Sequence, residues 1–305
     1  MVIKPALFAA FGALLLSGPA AAFDDLDATL QSLKDAQSKN DIAAVKKLAT
    51  EVYAIAGKTI AEPEPQAADE KADWTKQVAY ARSITEDAAY VVYAVAAQAK
   101  PADTVDLMAM LESLNPKSQY LDEGYESYFY ALRQLKQDAK IVPIAEKALT
   151  NFPNNADLLA ELAASALAKN QADRALGFAR RLIAAFQRDK PEWLSEDDWE
   201  RRKGALLGAG YYIAGVVTGS KGLYLESNTD LRAALPLIKG NQAMMGPALF
   251  YLGLDNYQLG KMTNNKKQVL EGASFSQQAA QVPGAYQQQA YHNYLTIKDE
   301  AGRMR

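Results

Sequence analysis

Tyr125 to Pro153 reads YESYFYALRQLKQDAKIVPIAEKALTNFP, and Leu158 to Phe186 reads LLAELAASALAKNQADRALGFARRLIAAF. In both, apolar residues recur at three- and four-residue spacing, the pattern of an amphipathic helix. Tyr125 aligns with Leu159, Tyr128 with Leu162, Phe129 with Ala163 and Leu132 with Ala166. Further on, Ile141 aligns with Ala175, Ala145 with Ala179 and Ala148 with Leu182, and every offset is 34 residues. A fixed period of this size marks a helical hairpin that buries its apolar face only by stacking on the next copy.

Working outward, DDLDATLQSLKDAQ reads as a helix, SKND breaks it, and DIAAVKKLATEVYAIA is a second helix with Asn40 or Asp41 as N-cap. Gly57–Glu70, with its prolines and acids, is a solvated connector, and a long helix follows until Pro101 stops it. DTVDLMAMLESL is the next, ended by NPKS. Further helices are expected near 118–136, 139–151, 155–169, 171–189, 195–218, 228–238, 243–260, 265–281 and 284–300. No stretch alternates as a strand, so the expected class is all-α, built of helical hairpins.

In period and pattern the chain resembles the tetratricopeptide repeat (TPR) family. Leu159, Leu162, Ala163, Ala175 and Ala179 fit one copy, and Ala148, Leu149 and Pro153 fit the end of the copy before it. The stretch ALFYLGLDNYQLGK falls into the same register: Leu249, Leu252 and Gly253 match the large–Leu–small element, and Gly260 the glycine that closes a first helix. Asn256 departs from the usual aromatic, with Tyr257 adjacent; Gly204, Leu207, Gly208 and Tyr211 give a similar reading. The clearest copies are 122–155 and 156–189, those over 195–283 are degenerate, and 284–300 suits a polar capping helix. The resemblance implies one right-handed superhelical solenoid over 23–305, of about six hairpins plus that helix. It also implies a concave face carrying Tyr130, Arg133, Gln134, Tyr212, Tyr257 and Gln258. Aromatic and arginine side chains there suit a peptide or protein partner; the alternative is that these tyrosines only pack between hairpins.

The N-terminus opens with Lys4, an apolar run from Ala6 to Leu16, and small residues ending Ala20-Ala21-Ala22. That is the form of a secretory signal peptide cleaved after Ala22, and the run is short for a bilayer span of ~20 residues. An exported protein, periplasmic or secreted and without a membrane anchor after cleavage, is expected. Cleavage would remove one lysine and take the formal charge from −3 to −4. A pI near 5.4 gives no basic face for nucleic acid. With no cysteine, disulfides and thiolate metal sites are excluded.

No motif carries catalysis or a cofactor. GVVTGSKG (Gly215–Gly222) superficially resembles a phosphate loop, but Ser220 stands where glycine must precede Lys221. His292 is the only histidine and cannot build a histidine metal cluster. Glu196, Asp197, Asp198 and Glu200 follow Ser195 and precede Arg201, Arg202 and Lys203, the charge order of a capped helix start. The expected function is a non-catalytic scaffold or adaptor; the alternative is a small-ligand protein or an enzyme using a cleft between hairpins.

Overall fold

The computed structural model describes residues 19–188, 190 and 194–304, the side chains of 19–23 and 69 excepted. Among these residues there are thirteen α-helices and no strand. The helices are α1 (Pro19–Ser38), α2 (Ile42–Ile60), α3 (Ala68–Ala96), α4 (Pro101–Leu114), α5 (Gln119–Gln134), α6 (Ile141–Ala148) and α7 (Ala156–Ala168). They continue as α8 (Ala172–Ala185), α9 (Glu196–Ser220), α10 (Tyr224–Ala234), α11 (Gln242–Met262), α12 (Lys266–Ala279) and α13 (Gln287–Arg303). The chain divides into two compact units, one ending at Ala131 and one beginning at Leu132. The expected signal peptide falls largely on residues 1–18, outside the described residues.

The turns show how hairpins are made here. Asn40, Lys136, Asn170, Gly222 and Asn264 all have φ between +49° and +75°. The residue after each donates its N–H five residues back: Asp41 to Ala36, Gln137 to Leu132, Gln171 to Ala166, Leu223 to Thr218, Asn265 to Gly260. This left-handed closure satisfies carbonyls that a helix end leaves orphaned, and asparagine and glycine tolerate it best. Helices α1, α5, α7, α9 and α11 end this way. A side-chain cap then starts several helices: Asp41 accepts from Ala44 N at 3.0 Å and Asn155 from Leu158 N at 2.9 Å. Pro101 does not stop a helix; it opens α4, where its missing N–H costs nothing. Gly222 turns the chain early, so α10 begins four residues before the expected 228.

Within each unit, helices pack on their neighbours in sequence and on the next but one: α1 on α3, α2 on α4, α7 on α9, α9 on α11 and α11 on α13. All fourteen residues of the seven 34-residue pairs are buried, from Tyr125 at 1% and Leu159 at 0% to Ala148 at 3% and Leu182 at 0%. The repeat in the sequence is thus a repeat in burial.

Eight ion pairs follow the same alternate-helix rule, while Lys221, at the end of α9, pairs with Asp173 on the adjacent α8. Lys34 meets Asp87 at 3.4 Å (α1 to α3) and Lys46 meets Asp106 at 3.0 Å (α2 to α4). In the second unit Arg133 pairs with Glu161, and Arg174 with Glu146 at 3.0 Å. There too Arg202 pairs with Asp157, Arg180 with Asp230, Arg232 with Glu271 at 2.8 Å and Lys261 with Glu300 at 3.1 Å. Each joins a helix to the second one after it.

Glycines let α11 and α12 approach closely. A Cβ on Gly253 would strike Ser276 Oγ and come within 3.1 Å of the Ser276 N, and one on Gly272 would lie 2.7 Å from the Gly253 carbonyl oxygen. Gly260, expected at a helix end, lies inside α11, where a Cβ would come within 2.8 Å of Val269 N.

Candidate ligand-binding sites

Three arrangements could meet a ligand or carry chemistry. The first is a cleft of about 620 Å³ in the first unit, between α2, α3 and α4. Ala54, Ile60 and Leu114 give it apolar walls, and Tyr53, Arg82, Glu86 and Asn115 its polar ones. The Tyr53 hydroxyl donates to the Thr85 carbonyl oxygen at 3.0 Å, and burial pushes it up to about 12, so it stays protonated. Asn115 Nδ2 donates to Glu86 Oε1 at 3.0 Å, across from α4 to α3. Arg82 has no ion-pair partner among the described residues, although Glu86 follows it by one helical turn.

The second is a tyrosine group on α3 and α5. The Tyr120 ring lies 5.5 Å from that of Tyr90 and is stacked 5.7 Å from that of Tyr93. Tyr90 is 51% exposed, so a large ring is presented to solvent on a packed support. Tyr80, nearer the start of α3, donates its hydroxyl to Asp27 of α1.

The third is buried. Asp255 on α11 is fully shielded, and neither carboxylate oxygen has a hydrogen-bond partner among the described residues. Burial pushes its carboxyl up to about 7, which the nearby Ser227 hydroxyl only partly offsets. Tyr251, one turn earlier, is also pushed up, first by burial and then by its hydrogen bond with Tyr286. Beside Asp255, buried Asn256 accepts from Arg232 Nη2 at 3.1 Å and donates to the Leu252 carbonyl oxygen at 2.8 Å.

The six residues expected to line one groove are placed as follows. Tyr130 belongs to the first unit and is 62% exposed. Arg133 and Gln134 are exposed at the end of α5, and Arg133 is engaged by Glu161. Tyr212 is half-buried, packed on two core clusters, the first around Ile213 and the second around Leu231; burial and then Tyr286 push its hydroxyl up to about 12. Tyr257 packs on the cluster of Val269 and Ile297, with half-buried Gln258 next in sequence. Its hydroxyl donates to Glu300 Oε2 at 2.7 Å and accepts from Lys261 Nζ at 2.9 Å. That contact, with Lys261, holds the Glu300 carboxyl below its usual range.

The remaining features have structural places. Ser195 caps α9, accepting from Asp198 N at 3.1 Å, and Arg201 reaches Asp198 at 3.2 Å. Gly215–Gly222 is the end of α9 and its closing turn. His292 is exposed on α13. Among the described residues no three potential metal-ligating side chains cluster, and no helix is long and apolar enough to cross a membrane.

Sequence reading missed Tyr90, Tyr120 and the cleft residues. One signal was available: Arg82 is the only arginine before Arg133, and it stands one turn from Glu86.

No protein-family model matches the chain, and no curated protein matches it. A solved chain described as "Computational Design of Self-Assembling Cyclic Protein Homooligomers" is similar over 94% of this chain and 95% of that one, at 10% identity and a TM-score of 0.24. A likeness that weak carries no argument about function.

Proposed function

We propose that this chain is an exported, TPR-like solenoid that binds a peptide segment of another protein, without catalysis of its own. The observation that carries the reading is the Tyr90–Tyr120 pair, a half-exposed ring held on a second ring across two helices. Aromatic side chains on rigid helices bury much area at low entropic cost, which makes them good anchors for a partner. The 34-residue pairs, the shared left-handed turns and the alternate-helix ion pairs support the repeat architecture. Tyr130, exposed on α5, is a second anchor of the same kind.

The test is a photo-crosslinking amino acid placed at Tyr90, at Tyr130, or at exposed Lys47 on α2 as a control, in the exporting cell. One discrete adduct from the tyrosine positions, absent from position 47, is the expected result. Identical adduct patterns from all three positions would defeat the reading. Fractionation of the same cells tests export: a chain retained in the cytoplasm with its first 22 residues uncleaved would remove that element.

A further inference from the structure

We propose that the cleft between α2, α3 and α4 is a binding site for a small amphipathic organic anion, an apolar body bearing one carboxylate, sulfonate or phosphate group met by Arg82. This is a second site, independent of any partner at Tyr90.

Its size is right: about 620 Å³ falls within the roughly 300–1,000 Å³ of small-ligand pockets. Its walls divide by chemistry. Ala54, Ile60 and Leu114 offer apolar surface, while Arg82 offers the positive charge. The local polar groups are already committed to one another. Tyr53 donates to Thr85, and Asn115 donates to Glu86. Glu86, the carboxylate best placed by sequence to neutralise Arg82, is thereby tied to α4 and makes no ion pair with it. Elsewhere Arg133, Arg174, Arg180, Arg202 and Arg232 each reach a carboxylate on another helix. Arg82, exposed and lining the cleft, has no such partner among the described residues. A guanidinium offers a planar fork of donors suited to an oxyanion, and an apolar wall beside it favours a ligand with an apolar body. Glu86 in the same cleft selects against ligands of high negative charge, so a single anionic group fits best.

The probe is 8-anilinonaphthalene-1-sulfonate, an aromatic monoanion that fluoresces when shielded from water. Titrated into the folded chain, it should give one saturable site, displaced by octanoate and not by octanol. Arg82→Gln should weaken binding about tenfold, the scale of one lost charge-assisted hydrogen bond. Ala54→Trp should fill the cleft and abolish the signal. Thermal melts of both variants check that each is folded. Equal displacement by octanol and octanoate, or undiminished binding by Arg82→Gln, would overturn the anion assignment. Undiminished binding by a folded Ala54→Trp chain, or no saturable binding at all, would overturn the site itself. None of these outcomes bears on the crosslinks at Tyr90.

Discussion

Arg180 on α8 grips Asp230 on α10 with both ends of its guanidinium, Nη1 donating to Oδ1 at 2.8 Å and Nη2 to Oδ2 at 2.7 Å. The side chain of Asp230 is only 6% exposed, so its charge depends on this partner, while Arg180 keeps 42% of its surface in water. Cutting the arginine back leaves a shielded carboxylate unpaired. Arg180→Ala should cost about 2 kcal/mol, discounted from buried-pair values because one partner is wet. Arg180→Ala with Asp230→Ala should cost less than the two single changes added together. Urea denaturation of the double-mutant cycle measures this; strict additivity would show that the pair contributes nothing.

Asp255 gives a pH dependence whose sign follows from burial. Its folded-state carboxyl is pushed up to about 7 from 3.8, so the folded chain holds the proton more tightly than the unfolded chain. Stability is therefore undiminished by this group below about pH 4, falls as pH rises, and reaches its full loss above about pH 7. The loss is on the order of 4 kcal/mol. Asp255→Asn should be the more stable form at pH 8 and close to the parent at pH 4. Urea midpoints at the two pH values test it, and parallel behaviour of both proteins would refute it.

Gly253 and Gly177 should respond oppositely to alanine. At Gly253 a Cβ meets Ser276 and the Gly272 backbone, so Gly253→Ala should cost about 1–3 kcal/mol. Gly177, exposed on α8, has nothing within 4 Å, and Gly177→Ala should add about 0.5–1 kcal/mol. Thermal melts of the two variants should move in opposite directions.

Lys136 holds φ at +57°, a conformation that costs a side chain such as lysine about 1 kcal/mol. Lys136→Gly should raise stability by about that amount, whereas Asn170→Gly, with φ +55°, should change it less because asparagine tolerates this region. A larger gain at Asn170 would contradict the account.

Helix positions were legible because period and turn chemistry are local. The buried 34-residue pairs follow from spacing alone, and residue type marks the cap at Ser195 and leaves Asn40 or Asp41 for α2, of which Asp41 is the one observed. Pro101 misled because proline punctuates both ends of helices, and only the preceding loop decides which. Gly260 misled because a glycine near a helix end serves equally well as a contact, here with Val269. Register places Tyr212 and Tyr257 on one face of their helices. Register fixes the face of a helix, not how far the next hairpin covers it, and both are half-buried. The Arg82 cleft is built from three helices spread over 66 residues, Thr50 to Asn115, and no single-helix pattern carries it.

The alternate-helix ion pairs have a mechanical consequence in the second unit. Six fasteners there, from Arg133–Glu161 to Lys261–Glu300, skip one helix each, and among the described residues none reaches further. Pulled from α13, this unit would unzip one hairpin at a time, Lys261–Glu300 parting before Arg232–Glu271 and Arg180–Asp230. Its peak resistance to force is that of the strongest single joint met on the way, not the sum of them all.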